Sequence, residues 1–178
     1  MFAAGDMAQL PTHALWVGLI PVLGGMESEL HLWKQTGVIS LWRYTEFRKN
    51  FGGWHLSADD AGIQSLLQLL NVLQSAPESH RTVAITPPSM QLLKVPNFQQ
   101  GRAKWVAPAK LQLRVSSAPE TWEFPEDLDP AQFTVGASYL PALSRALEGI
   151  PRGEGDFSIG SKKRGKLRLC FWWWLDAA

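Results

Sequence analysis

The sequence predicts an α+β protein in which antiparallel β-sheets carry two amphipathic helices. The first observation is a period-two alternation between residues 38 and 47, which is typical of a strand with two different faces. The second is that apolar residues recur at helical spacing in two segments, Ile63–Leu73 and Leu140–Ile150. The third is the composition, because 178 residues with 46% hydrophobic and 19% charged side chains can bury one sizeable core. We therefore predict a single domain over residues 1–178.

The first half of the chain is predicted to form sequential antiparallel strands that end in a helix. Thr36-Gly37 and Gly52-Gly53 mark turns between strands. Ser57 lies three residues before Asp60, so its hydroxyl is predicted to cap the helix while the carboxylate faces the helix's positive end. The predicted strands are His13–Val22, Glu29–Gln35, Val38–Phe47 and Trp54–Leu56.

The second half is predicted to contain short strands, a long loop and a second helix. Residues 89–103 lack a clear period and predict the loop. The helix is predicted from Ser138 to Glu148, with Pro141 in its first turn, where the missing N–H is harmless. The basic sequence SKKRG is predicted to form the tip of a C-terminal hairpin. The predicted strands are Arg81–Thr86, Lys104–Val106, Lys110–Ser116, Trp122–Phe124, Phe133–Val135, Asp156–Ile159 and Lys166–Leu175.

The same order of strands followed by a helix occurs twice along the chain. The two segments are residues 13–76 and 81–150, and the hairpin of residues 156–175 follows them. We interpret this order as an internal duplication of a β-sheet-plus-helix unit. The alternative is that any α+β chain yields two such segments by chance.

Charge and apolar patterning restrict the class of protein. A formal net charge of +1 excludes a strongly polycationic binder, so affinity for nucleic acid requires a local basic cluster. The single cysteine, Cys170, excludes an internal disulfide and is compatible with a reducing cytoplasm. The apolar runs are far shorter than the ~20 residues that span a bilayer, and the N-terminus lacks a basic signal-peptide region. We predict a soluble, cytoplasmic protein that does not enter a membrane.

Aromatic and basic side chains are mixed on several predicted strand faces. Trp42 and Tyr44 share the second face of the strand after Gly37, with Arg43 beside them. Rings on an open face can stack on bases while cations follow phosphates, which predicts binding of single-stranded DNA or RNA. The Gly-rich basic segment 152–166 is predicted to clamp the phosphate backbone. The candidate nucleic-acid-binding residues are Trp33, Trp42, Arg43, Tyr44, Arg48, Lys49, Lys110, Arg114, Lys162, Lys163, Arg164, Lys166, Arg168, Trp172 and Trp174.

Each of these signals has a less specific interpretation. Tryptophan is usually a core residue, and we predict that Trp16, Trp54, Trp105 and Trp173 are buried. The mixed faces are also consistent with a protein interface or with a simple core. A hairpin tip is a place where solvated charges belong in any protein.

The sequence shows no arrangement that favours catalysis or metal binding. Its four histidines lack helical i, i+4 pairing and cysteine partners. Ser57, Ser138 and Cys170 have no recognisable nucleophile setting. Asp59 and Asp60 are explained by a helix start. We predict a non-catalytic protein with no cofactor and no metal.

The segment 38–70 resembles the positive-cofactor-four and Whirly group of single-stranded-DNA-binding proteins. The pattern is Gly53-Trp54-His55-Leu56-Ser57-Ala58-Asp59-Asp60, followed by Leu66 and Leu67 and preceded by Trp42-Arg43-Tyr44. The resemblance implies that single strands lie across sheet faces and that the protein has no catalytic activity. The chain length suits the Whirly-like version, which has two units in one chain, whereas the strands of residues 156–175 depart from two plain repeats.

We therefore expect a single-stranded nucleic-acid-binding protein that acts as a homo-oligomer or as a subunit of a complex. One alternative is an RNA-binding, ferredoxin-like subunit of a nucleoprotein complex, which the Gly-rich basic hairpin suggests. Another is a scaffold or assembly subunit whose exposed tryptophan faces bury against a protein partner. Salt separates these functions, because phosphate binding weakens steeply with salt and a buried aromatic interface does not.

Overall fold

The computed structural model describes residues 29–46, 52–96, 102–155 and 157–173. The fold is α+β, with strands in two sheets and two substantial helices. Besides the helical residues 29–32, the helices are α1 (Asp60–Ser75), α2 (Met90–Lys94) and α3 (Leu140–Gly149), with 3₁₀ turns at Ala137–Tyr139 and Ile150–Arg152. The strands are β1 (Ile39–Tyr44), β2 (Trp54–Ala58), β3 (His80–Ala84), β4 (Trp105–Val106), β5 (Lys110–Ser116), β6 (Trp122–Glu123), β7 (Ala131–Gly136), β8 (Phe157–Ile159) and β9 (Leu169–Phe171).

Both sheets are mixed, so the prediction of antiparallel sheets is wrong. The five-stranded sheet has the order β4-β1-β2-β9-β8, and the four-stranded sheet has the order β3-β5-β7-β6. β2 pairs in parallel with β9, and β5 pairs in parallel with β7. Alternation along a strand reveals its two faces but does not identify the strands that pair with it. Parallel strands are joined by long connections, so no short sequence pattern marks the pairing.

The two sheets have corresponding neighbours around the strand that leads into a long helix. In the five-stranded sheet this strand is β2, which lies between antiparallel β1 and parallel β9. In the four-stranded sheet it is β7, which lies between antiparallel β6 and parallel β5. β8 and β3 then pair antiparallel with β9 and β5. In each sheet, the parallel strand is not the neighbour in chain order, because β9 follows α3 and β5 comes before β6.

The main core lies where the two sheets and the two long helices meet. Its residues come from α1, α3 and strands of both sheets, and include Leu41, Leu66, Leu113, Leu147 and Phe171. The helical spacing of apolar residues is confirmed, because α1 buries Ile63, Leu66, Leu70 and Leu73, and α3 buries Leu140, Leu143 and Leu147. Pro141 lies at the start of α3, as predicted.

A second core covers the opposite face of the five-stranded sheet. Ser89 accepts a hydrogen bond from the Leu92 N–H at 3.1 Å and so starts α2, whose Leu92 and Leu93 pack on this face. The prediction of a loop over residues 89–103 is therefore wrong for its first part, because a single capped helical turn is too short to show a period. The buried residues of this second core are Trp42, Tyr44, Leu92, Leu93, Ala103 and Trp172.

The junction of β2 and α1 is capped by Asp59 and not by Ser57. One oxygen of the Asp59 carboxylate accepts hydrogen bonds from the Gly62 N–H at 2.7 Å and from the Val38 N–H at 2.9 Å. Ser57 is buried within β2. Gly37 has φ +67 and packs against Asp59 and Gly62, so a side chain at this position would clash. Asp59 therefore ties the start of α1 to the chain that enters β1.

The two strands that were predicted before residue 36 are not confirmed. The predicted strand Glu29–Gln35 is wrong, since residues 29–32 are helical. The predicted strand His13–Val22 lies outside the described residues. Within the described ranges, no helix is both long enough and apolar enough to cross a bilayer.

Candidate nucleic-acid interface

The aromatic residues that were predicted to lie on an open strand face are buried. The exposed fractions are 0% for Trp42, 2% for Tyr44 and 7% for Trp172. The prediction of exposed rings is wrong for these residues, because α2 and the chain around Ala103 cover their face of the sheet. In this structure, none of the three rings offers a free face to a base.

These rings surround His55, which is itself 1% exposed. Its imidazole stacks between Trp42 and Trp172, with ring centroids 5.5 and 5.9 Å away, and Tyr44 meets it edge-on at 5.0 Å. The Trp172 indole N–H donates to His55 Nδ1 at 2.9 Å. Burial raises the pKa of Tyr44 to about 12. The cluster is thus a packed aromatic core within one chain.

Arg43 is half-buried and bonded within the molecule. Its guanidinium lies 5.8 Å from the centroid of the Trp54 ring, donates to the Glu126 carbonyl at 3.2 Å and pairs with the Glu126 carboxylate at 3.5 Å. Reaching a phosphate would require breaking these contacts. Arg43 therefore contributes to the link between the two sheets.

The basic residues of the loop between β8 and β9 are exposed. This loop lies close to carboxylates, because the Trp122 indole N–H donates to the Leu167 carbonyl at 2.7 Å and brings it against residues 118–126. The two grooves along this contact are lined by Glu120, Glu123 and Glu126 as well as by lysines. Such mixed charge weakens attraction for a phosphate backbone. The exposed basic residues are Lys162, Lys163, Arg164, Lys166 and Arg168.

The four-stranded sheet has an outer face that remains open to solvent. Along β5, Leu111, Leu113 and Val115 point into the core, which leaves Lys110, Gln112 and Arg114 on the other side, as the alternation predicted. Residues that lie opposite each other in the ladder share a face, so β3, β7 and β6 extend this surface. We call it the basic sheet face, and it consists of His80, Thr82, Ala84, Lys110, Gln112, Arg114, Gln132, Thr134 and Glu123.

Glu123 lies on the basic sheet face opposite Thr134, and Glu78 borders it. Glu78 accepts hydrogen bonds from the Ser117 N–H at 2.7 Å, the Ser117 hydroxyl at 2.9 Å and the Ser116 hydroxyl at 3.2 Å. The bond from the Ser117 N–H is the main reason that the pKa of Glu78 is lowered, and the charge of Arg114 acts in the same direction. The Glu78 carboxylate is therefore already engaged at the end of β5.

A groove runs beside the basic sheet face, along the edge strand β3. The Gln35 side-chain amide covers that edge at the end of β3, since it donates to the Ala84 carbonyl at 3.0 Å and accepts from the Ala84 N–H at 2.7 Å. Trp33 is half-buried, and its indole N–H donates to the Ser65 carbonyl at 3.0 Å. We call this the Trp33 groove, and it is lined by Trp33, Lys34, Gln35, His80, Arg81, Thr82, Ala84 and Lys110.

The structure thus brings together only part of the predicted site. Trp33 and Lys110 line the same groove, and Arg114 lies on the adjoining face. Lys34, His80 and Arg81 also line the groove and were missed, because only the pairing of β3 with β5 and the bonds of Gln35 to Ala84 bring these distant segments together. Arg48, Lys49 and Trp174 lie outside the described residues. In the part of the chain that the structure describes, no three histidine, cysteine, aspartate or glutamate side chains converge to hold a metal ion.

Comparison of the chain with protein-family models, with curated proteins and with solved structures finds no match. The resemblance of residues 38–70 to positive-cofactor-four and Whirly proteins therefore stays a prediction from the sequence.

Proposed function

We propose that this protein binds single-stranded nucleic acid across the basic sheet face. The observation that carries the proposal is the position of exposed Lys110 and half-exposed Arg114 on one open face of β5. They are four positions apart in the strand, so their α-carbons are ~13 Å apart. Two cations at this separation on a shallow surface can each contact a phosphate of an extended strand.

The neighbouring side chains suit a polar ligand that lies flat. Thr82, Gln112, Gln132 and Thr134 are neutral hydrogen-bonding groups on the same surface as the two cations. Their hydroxyl and amide groups can reach sugars and base edges. Among the candidate aromatics that the structure describes, Trp33 at the border of the surface is the one that is only half-buried. Binding would depend mainly on charge and so respond strongly to salt.

The two alternative functions have less support from the geometry. A scaffold function rested on exposed tryptophan faces, and Trp42 and Trp172 are buried within this chain. A ferredoxin-like core places the strands on either side of its helix in a single sheet, whereas here β2 and β3, which flank α1, belong to different sheets. Both functions remain outcomes of the experiment below.

We further propose that the two halves are copies of one strand-and-helix unit, as in the Whirly-like arrangement that the sequence suggested. The matching neighbours of β2 and β7 support this interpretation. In this proposal, the copies span residues 39–116 and 122–171, bounds that differ from the predicted 13–76 and 81–150. β3 and β5 of the first copy are exchanged into the four-stranded sheet and β8 and β9 of the second into the five-stranded sheet, whereas β4 remains beside β1. The exchange accounts for the hairpin of β8 and β9 beside β2.

The experiment is a titration of a dye-labelled oligo(dT) by anisotropy, at low and high salt. The double variant Lys110→Ala/Arg114→Ala is expected to bind more weakly, and its salt slope to fall by about 0.7 for each phosphate that is no longer neutralised. Lys162→Ala/Lys163→Ala is the matched control, since it removes the same charge from the loop beside the carboxylates. Far-UV circular dichroism verifies that each variant is folded.

The pattern among the variants decides between the possible sites. If only the loop variant loses affinity, the basic sheet face is the wrong site. If the parent protein shows no salt-sensitive binding of DNA or RNA, the proposed function is wrong, and a protein partner becomes the better hypothesis.

A further inference from the structure

We propose that the Trp33 groove binds a nucleotide through a terminal phosphomonoester. This inference rests on the proposed function in one respect, namely that a strand held on the basic sheet face would end in this groove. The ligand class is a phosphorylated nucleotide, either at the end of a strand or free in solution.

The charge of the lining residues is the first argument. Among the described residues, Lys34, Arg81 and Lys110 line the groove and no carboxylate does. The grooves beside the β8–β9 loop instead combine lysines with Glu120, Glu123 or Glu126. The whole chain has 17 lysines and arginines against 16 acidic residues, so three cations without an acid form an uneven local distribution.

The arrangement of the strands brings the cations together. Ala84 lies opposite Lys110 in the β3–β5 ladder, and Gln35 bonds to the backbone of Ala84 from the other side. The Gln35 side-chain amide thus occupies the place of a further strand, and Lys34 and Lys110 line the groove on either side of Ala84. Both are long, flexible side chains that can turn toward one phosphate between them.

The charge state of the ligand favours a terminal phosphate over an internal one. A phosphomonoester carries between about −1.5 and −2 at pH 7, whereas each internal phosphodiester carries a single charge. The two lysines of the groove, Lys34 and Lys110, match the monoester better, whereas the Arg81 Nε is already bonded to the Leu30 carbonyl. Trp33 lines the same groove and gives the attached base an aromatic neighbour.

The state of the β3 edge argues against a peptide as the occupant. An added peptide strand would need free backbone groups on β3. At Ala84 both backbone groups are already bonded to the Gln35 side chain, so a peptide strand could not pair with this end of β3.

The test compares the full chain with Lys34→Ala and Arg114→Ala. Lys34 lines the groove, and Arg114 lies on the basic sheet face outside the groove. The ligands are oligo(dT) with a 5′-phosphate, with a 3′-phosphate or with neither, together with thymidine monophosphate and thymidine. The parent protein is expected to bind one phosphorylated oligonucleotide roughly tenfold more tightly than the unphosphorylated one.

The variants are expected to separate the two sites. Lys34→Ala should abolish the preference for the phosphorylated end, and Arg114→Ala should weaken both oligonucleotides while keeping the preference. Lys94→Ala, at an exposed lysine of α2 outside the groove, is the control and should change neither.

Each outcome addresses one of the two proposals. Equal affinity for phosphorylated and unphosphorylated oligonucleotides, with binding retained, overturns the groove proposal and leaves the proposed function standing. Binding of thymidine monophosphate but of no unphosphorylated oligonucleotide supports the groove as a free-nucleotide site and overturns the proposed function. Absence of binding by every ligand overturns both.

Discussion

The hydroxyl of Tyr44 lies among apolar and aromatic side chains of the second core. It makes a long hydrogen bond of 3.4 Å to the Leu93 carbonyl, and burial raises its pKa from 10.0 to about 12. The folded state therefore favours the neutral phenol, while the unfolded chain loses the proton near pH 10. The stability that this group contributes is complete below pH 10 and is lost as the pH rises through about 12.

We predict that Tyr44→Phe removes this alkaline sensitivity. Between pH 9 and pH 12, the free energy of unfolding of the parent should fall by about 2–3 kcal/mol more than that of the variant. Urea unfolding at a series of pH values measures the free energy of unfolding of the parent and of the variant. Titratable groups that the two proteins share cancel when one value is subtracted from the other. If the free energies of unfolding of the two proteins fell in parallel between pH 9 and pH 12, the burial of the Tyr44 hydroxyl would be contradicted.

At the scale of secondary-structure elements, the junction between β2 and α1 depends on one carboxylate. Asp59 satisfies a free N–H of the first helical turn and also the N–H of Val38 at the entry to β1. Gly62 packs tightly against Val38, and a Cβ atom at position 62 would lie 2.5 Å from the Val38 carbonyl oxygen. Loss of the carboxylate would therefore disturb a strand as well as a helix.

We predict that Asp59→Ala lowers the free energy of unfolding by about 2 kcal/mol, which exceeds a typical loss of a helix cap. Asp59→Asn should lose less, because the amide oxygen still accepts a hydrogen bond. Asp60→Ala is the matched control, since Asp60 is an exposed first-turn carboxylate whose expected effect is about 0.3–1 kcal/mol. Urea denaturation measures all three, and an equal loss in Asp60→Ala would show that Asp59 acts only through its charge.

An element could be predicted where its signal lies within one segment of the sequence, and could not where it depends on contacts between distant segments. Alternation in β5 correctly assigned Lys110 and Arg114 to the outer face, and helical spacing identified α1 and α3. Alternation in β1 was equally clear, but it could not show that α2 covers the face of Trp42. Ser57 and Asp59 are both good caps by residue type, and only the path of the chain decides between them. The Trp33 groove depends on pairing across the fold, which a local pattern does not contain.

At the scale of the whole molecule, no sheet is complete when the chain is divided between β5 and β6, and we call the two parts its halves. Residues 39–116 supply β1 to β5, and residues 122–171 supply β6 to β9. β9 from the second half completes the sheet of β1 and β2, and β5 from the first half completes the sheet of β6 and β7. The helices α1 and α3 also contact each other within the common core. Folding of one half therefore depends on the other.

This exchange predicts that the chain unfolds as one unit and that its halves need each other. Far-UV circular dichroism and tryptophan fluorescence should give the same urea midpoint, because the buried tryptophans lie in both sheets. A cut at the exposed turn after Ser117 should leave two fragments that lack native structure alone, since each would expose the apolar face that the other covers. Mixing the fragments should restore the native spectrum. A fragment that unfolds cooperatively by itself, or two separate midpoints in the intact chain, would mean that the two sheets are independent of each other.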